Sequence, residues 1–284
     1  MSTHREVSNE KGERGSPDTR ILSQQTIADF GDQWTRFTSN DGFYGSSALF
    51  EDICGPLLAS SEVVGLRTAD IGSGTGRIVR MLLSADAAHV VALEPSAAFD
   101  VLCRNVAAFE DRVECIHAVG EQLPKDRGFD LILSIGVLHH IPDPAPVVKA
   151  AYEALGAGGR MLVWLYGQEG NATYLALTLP LRAITTRLPH IAVLMLARLF
   201  TGALAPYVWL CRRLPLPLAG YFAQVFGRME HDKQVLIVYD QLRPAYARYY
   251  SRADAVALLA AAGFDDVRAH HRHGYSWTVI GTKR

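Results

Sequence analysis

Between Leu66 and Gly167 short apolar runs alternate with segments of helical spacing. The run ending at Asp70 reads as a buried strand. Gly72, Gly74 and Gly76 then form a tight turn, and Arg77–Ser84 reads as a helix. HVVALEP (His89–Pro95) is a second strand, apolar from Val90 until Glu94. Ser96–Ala108 reads as a helix with Ser96 in capping position, and VECIHA (Val113–Ala118) as a third strand. FDLILSI (Phe129–Ile135) is apolar after Asp130 except at Ser134, the pattern of a strand buried on both faces. Pro146–Leu155 is helical, and GAGG (Gly156–Gly159) turns into RMLVWLYG (Arg160–Gly167). Strands alternating with helices predict an α/β architecture with a parallel, doubly wound sheet. Ligands of such sheets sit at the carboxyl ends of the strands. That edge carries the glycine turn, Glu94, Gly120–Glu121 and Gly136–His140.

The flanks read differently. Residues 1–20 are polar and predict a flexible tail. Ile21, Ile27, Phe30, Trp34 and Phe37 fit an amphipathic helix weakened by Gly31, and Phe50–Leu58 fits a helix interrupted by Pro56. Between them SNDGFYG (Ser39–Gly45) is a loop holding Tyr44. Trp34 and Tyr44 fit either an edge cap or a lid over substrate or cofactor. At the other end Ser251 is the N-cap of a helix Arg252–Ala262 ended by Gly263. VRAHHRH and YSWTVIGTK read as two closing strands joined through Gly274.

Composition narrows the class. A chain of 284 residues predicts one large domain, or one with a substantial insertion. A formal charge of −1 gives no global field toward nucleic acid or anionic surfaces. Cys54, Cys103, Cys115 and Cys211 form no CxxC pair, and the N-terminus has no apolar leader segment, so the expected location is cytoplasmic. No metal is expected. His270, His271 and His273 sit on a strand, where alternate residues face opposite sides.

The glycine turn separates two cofactor classes. A dinucleotide loop needs G-x-G-x-x-G, and the third glycine position here is Arg77. Asp70 before the turn sits awkwardly beside a pyrophosphate but suits a cationic ligand. Glu94, 18 residues past Gly76, can accept from both ribose hydroxyls. The set favours S-adenosylmethionine, which carries a sulfonium and an ammonium and no phosphate.

TADIGSGTGRI, VVALEPS, GEQLP, FDLILSIGVLHHIPDP and LGAGGRMLVWLYG, in this order, resemble the successive motifs of class I S-adenosylmethionine-dependent methyltransferases, the broad bacterial group that includes quinone-ring methylases. The resemblance covers Leu66–Gly167, with a weaker match in the C-terminal segment. It implies a seven-stranded, mostly parallel Rossmann-like sheet whose final strand is antiparallel. Asp70 and the backbone of Gly72, Ser73 and Gly74, in the loop completed by Gly76, would face the methionine end. Glu94 would take the ribose, Pro95 the adenine face, Gly120 and Glu121 the adenine edge, and Ile135 would lie beside the methionine end. One departure is Val119, where many relatives carry an acidic residue. The chain would divide into the tail 1–20, a helical cap 21–65, a cofactor-binding core 66–168, an apolar helical insertion 169–234 after strand five, and the closing elements 235–284.

The acceptor side is less constrained. His139 and His140 follow the fourth strand where the methyl group should lie, and imidazole can take a proton near neutrality. Each fits either a base or a structural turn; Tyr44 is a third catalytic candidate. Tyr166, Asp240, Tyr246 and Tyr250 are candidates for acceptor contact, the last three within or after a segment, YDQLRPAY, that resembles one reaching the acceptor in relatives. Gly170–Met229 contains no Asp or Glu and six arginines. Its Ile191–Cys211 stretch approaches the ~20 apolar residues of a membrane span. A single span would strand the last two strands across the membrane, which excludes it. A cap over an apolar acceptor, a peripheral membrane-surface contact and a homodimer interface all stay open. The expected activity is methyl transfer to an oxygen or carbon of a hydrophobic small molecule (polyketide, quinone, glycolipid or other specialised metabolite), with S-adenosylhomocysteine as product and no nucleic-acid partner. The rival keeps the cofactor without transfer, as a cyclase or a structural partner in a biosynthetic complex.

Overall fold

Seven strands form one sheet in the order β3-β2-β1-β4-β5-β7-β6. The computed structural model describes residues 17–243 and 246–284. β1 (Arg67–Ile71), β2 (His89–Leu93), β3 (Val113–Ile116), β4 (Phe129–Ile135) and β5 (Leu155–Tyr166) run parallel. β7 (Ser276–Thr282) lies between β5 and β6 (Asp265–Arg272), antiparallel to both. The hairpin joining β6 to β7 passes through Gly274 at φ 74°, a left-handed conformation that glycine adopts without a steric cost. Helices α3 (Arg77–Ser84), α4 (Phe99–Val106) and α5 (Ala145–Ala154) make the crossovers.

Period-two alternation explains why the strands read as continuous apolar runs. Val90, Ala92, Leu131 and Leu133 enter one core cluster with α3, while Val91, Leu93 and Ile132 enter the other with α5. Both faces are therefore covered. The same alternation sends Ala69 and Ile71 into the second cluster and leaves Asp70, 1% exposed, on the opposite face. A carboxylate is thus buried by strand register rather than by its own preference.

Some boundaries differ from the sequence reading. The expected tail lies outside the described residues as far as residue 16, but from Pro17 the chain is helical, in α1 (Pro17–Arg36). The helix expected over Phe50–Leu58 is α2 (Ser47–Cys54), which stops at Gly55 (φ 57°) before Pro56. GAGG belongs to β5 rather than to a turn, opposite a register irregularity between Phe129 and Leu131. Ser251 caps α10 (Arg252–Ala260) as expected, its hydroxyl accepting from the Asp254 N–H.

The insertion folds as α6 (Ala172–Thr185), α7 (His190–Cys211), α8 (Ala219–Gln224) and α9 (His231–Leu242). α7 passes through Pro206 without breaking. Val193 and Ala197 of α7 pack on Val235, Tyr239 and Leu242 of α9, so the helical layer runs eight residues beyond 234. β6 and β7 then return to the sheet beside β5, which forbids a single membrane crossing by α7.

Candidate functional site

The glycine turn hangs from the end of β2. The N–H groups of Gly72 and Ser73 both donate to the Leu93 carbonyl, at 2.9 and 2.8 Å. Glu94 closes the loop from the other side: its Oε2 accepts from the Gly74 N–H at 2.7 Å, and its Oε1 from the Ser96 N–H and hydroxyl. Ser96 therefore does not cap α4 directly. Its oxygen accepts from the Ala98 N–H, one residue before α4 starts at Phe99. Gly72 sits at φ 77°, and a Cβ there would lie 2.5 Å from Val137 Cγ2.

Over this loop lies a cavity of about 180 Å³. Gly72, Ser73, Gly74, Glu94, Pro95, Gly120, Glu121 and Ile135 line it, together with Val119 and His140. These eight expected cofactor contacts are thus brought together. Two others stand apart. Gly76 is the residue before α3, at φ 85°, with its α-carbon turned to Leu102 and Val106. Asp70 is sealed behind the loop and does not line the cavity. Its Oδ2 has no hydrogen-bond partner among the described residues, and burial lifts its carboxyl to about 7. It can act on a ligand through its charge rather than by direct contact.

α1 forms the cavity's outer wall through Ser23, Thr26, Ile27, Phe30 and Trp34. Trp34 Nε1 stands 3.4 Å from where a Gly74 Cβ would be. The following loop is tied to the glycine turn by a reciprocal pair: Asn40 Nδ2 donates to the Thr75 carbonyl (2.8 Å) and the Thr75 hydroxyl donates to Asn40 Oδ1 (2.7 Å). Sequence reasoning missed this pair, because residues 35 apart meet only through the fold.

A second cavity, of about 170 Å³, shares Phe30, Trp34, Tyr44, Arg77, Ile135 and Gly136 with the first. Tyr44 is buried, with the Arg77 guanidinium 4.4 Å from its ring centre. Arg77 lines both cavities and was legible in sequence only as a missing glycine. Tyr166 and Asp240 meet here, the tyrosine hydroxyl donating to Asp240 Oδ2 at 3.1 Å. Gln33 of α1 donates to Asp240 Oδ1 at 3.1 Å. Burial and the Asp240 charge push the Tyr166 hydroxyl well above the usual phenol range.

The two histidines part company. His140 lines the cofactor cavity, and its Nδ1 lies 2.8 Å from the Tyr246 carbonyl. A carbonyl only accepts, so Nδ1 carries the proton and Nε2 keeps its lone pair. Burial lowers its pKa and keeps the ring neutral. His139 is fully buried between His140, Trp164 and Tyr166 and lines neither cavity. Burial holds its pKa well below the ordinary value. The expectation that it could face the methyl group is corrected by this packing. Tyr250 is likewise corrected: it is 1% exposed in the second core cluster, and its N–H donates to the Tyr166 carbonyl (2.8 Å) as a sheet-edge contact. Tyr246 lines neither cavity and meets His140 through its carbonyl.

A model of the family described as "Methyltransferase domain" matches residues 69–161. A tRNA U34 carboxymethyltransferase of Ectopseudomonas mendocina (strain ymp) is 33% identical over 116 residues, covering 39% of this chain and 35% of that protein. A demethylmenaquinone methyltransferase of Clavibacter sepedonicus is 33% identical over 106 residues, covering 37% and 43%. The chain thus spans well under half the length of these curated relatives. Among solved structures, magnesium protoporphyrin IX methyltransferase from Synechocystis PCC 6803 with bound SAH aligns at TM-score 0.52 and 16% identity, over 94% of this chain and 100% of that one. The pyocyanin biosynthetic protein PhzM aligns at TM-score 0.52 and 16% identity, over 84% and 55%. Sheet order, glycine loop and Glu94 clasp agree with these likenesses: residues 69–161 match a methyltransferase domain, and the chain has the fold of these S-adenosylmethionine-dependent methyltransferase structures.

Proposed function

We propose that this chain transfers the methyl group of S-adenosylmethionine to an oxygen or carbon of a hydrophobic small molecule. The observation that carries the reading is the junction of the two cavities across Ile135 and Gly136, one walled by the glycine loop and Glu94, the other by aromatic side chains. The residues fit the cofactor. Gly72–Gly74 give backbone without side chains, and Glu94 retains lone pairs for ribose hydroxyls beside its protein hydrogen bonds. The unpartnered Asp70 oxygen favours a cation nearby. Bound there, the cofactor supplies a methyl carbon on a sulfonium, open to in-line attack.

The protein's part is then placement and proton handling. Phe30, Trp34 and Tyr44 wall off both cavities, which excludes water and holds the acceptor in line. His140, neutral and with Nε2 unprotonated, takes the proton of a hydroxyl acceptor. Asp240 and Tyr166 form a polar pair that orients the acceptor in an otherwise apolar wall. The demethylmenaquinone name of one relative supports a ring-bearing apolar acceptor. The tRNA names come from relatives of which this chain covers about a third, and an acceptor cavity lined by Leu49, Ile53, Val225, Met229 and Leu236 favours an apolar molecule over a nucleoside.

The test is calorimetry with S-adenosylhomocysteine, followed by methyl-labelled cofactor with a panel of apolar phenols, quinols and acids. Binding that Glu94→Ala weakens, with label appearing in a product, supports the reading. Binding with no labelled product supports the non-transferring rival, and no binding overturns both.

A further inference from the structure

α6 and α7 leave a broad apolar face uncovered. On α7, Ile191, Met195 and Leu199 recur every four residues and are 70%, 65% and 65% exposed. Four-residue spacing puts them on one side of the helix. Leu177 and Ile184 of α6 are 71% and 62% exposed. The face carries one sign of charge. Gly170–Met229 has no carboxylate, and Arg187, Arg198, Arg212 and Arg213 are exposed and, among the described residues, without an acidic partner. Trp209, half exposed, lies under the Arg213 guanidinium at 4.1 Å, an aromatic–cation pair of the kind that sits well at a headgroup boundary. A soluble monomer does not normally leave so much aliphatic surface in water.

The same helices bound a third cavity, of about 470 Å³. Leu177 and Ala203, both exposed, belong to its wall, so its mouth lies on this face. At its inner end Tyr166, Tyr221 and Gln241 also line the acceptor cavity. We propose that the α6–α7 face rests in the headgroup layer of an anionic bilayer, and that the apolar cavity receives the hydrocarbon chain of the acceptor from that bilayer. The arginines meet lipid phosphates, the aliphatic residues enter the acyl boundary, and the acceptor's reactive head reaches Tyr166 and Asp240. This rests on the reading of the second cavity as the acceptor site.

Co-sedimentation of the full chain with vesicles of phosphatidylcholine, alone or mixed with phosphatidylglycerol, tests the docking. Anionic vesicles should bind about tenfold more tightly than neutral ones, with the preference fading as salt rises. Met195→Glu with Leu199→Glu should weaken vesicle binding about tenfold or more, and Arg212→Gln with Arg213→Gln should erase the anionic preference. Affinity for S-adenosylhomocysteine should stay unchanged in all of them. That control separates the outcomes: lost cofactor binding in the unmodified chain overturns the proposed function, not the docking. A pyrene-labelled fatty acid tests the cavity, and Ala203→Trp should weaken its binding in detergent-free buffer. No sedimentation with either vesicle, or sedimentation untouched by the Glu pair, overturns the docking. So does a lipid-free dimer that the same Glu pair dissociates, which would give the face to a second copy. Probe binding unaffected by Ala203→Trp overturns the cavity assignment.

Discussion

Asp70→Asn separates what the buried carboxylate does to the fold from what it does for the ligand. Asp70 is 1% exposed, and burial raises it from 3.8 to about 7. Between those values the folded state holds a proton that the unfolded chain has released. Stability therefore falls with rising pH across this window, and the favourable contribution present at low pH is lost as pH passes 7. At about 1.36 kcal/mol per pKa unit the rise corresponds to roughly 4 kcal/mol, and relaxation around the charge leaves about 2 kcal/mol. Asparagine keeps the shape and never ionises. The ligand-free variant should match the unmodified protein below about pH 3.8 and melt about 4 °C higher at pH 8. The histidines bias stability in the opposite direction, since their lowered pKa values favour the fold above pH 6.5, but they do so equally in both proteins. The difference between the two curves thus reports Asp70 alone. Calorimetry gives the functional half. A cationic ligand needs the carboxylate ionised, so affinity for S-adenosylmethionine should rise between pH 6 and 8 and lose that dependence in the variant. Parallel melting curves from pH 4.5 to 8 would refute the reasoning.

Other residues give independent checks. Gly72→Ala forces a Cβ to 2.5 Å from Val137 at φ 77°, and should cost about 1–3 kcal/mol in denaturant titration and abolish measurable cofactor binding. Thr75→Val leaves Asn40 Oδ1 buried without its donor and should cost about 1–3 kcal/mol, with faster proteolysis of the α1 segment than in the unmodified protein. His140→Gln should lower kcat for a hydroxyl acceptor about 100-fold with little change in KM for the cofactor. In the unmodified enzyme the lowered His140 pKa predicts full activity above pH 6.5 and loss as pH falls through the folded value, an acid limb the Gln variant should lack.

Why some of this was readable from sequence and some was not follows from range. FDLILSI coincides with β4, and the glycine turn falls between β1 and α3, because apolar continuity and glycine spacing act within ten residues or so. The backbone of Gly72–Gly74 and the side chain of Glu94 belong to this local class. His139 and His140 are neighbours with the same chemistry, and no local signal tells which ring faces a cavity. The turn after β4 decides it, burying one among Trp164 and Tyr166 and turning the other to the cavity over the glycine loop.

By itself the sequence determined the α/β alternation, the parallel half-sheet, the loop at its carboxyl edge and hence the cofactor class. These follow from periodicity and from backbone conformations that only glycine takes easily. Tertiary structure decided everything that depends on residues far apart in the chain. It laid α1 over the loop through Asn40 and Thr75, hid Asp70 and Tyr250, and brought Gln33, Tyr166 and Asp240 together. The insertion read as apolar in either case. Only its packing, with α9 on one side of α7 and Ile191, Met195 and Leu199 left on another, distinguishes a buried lid from an exposed face.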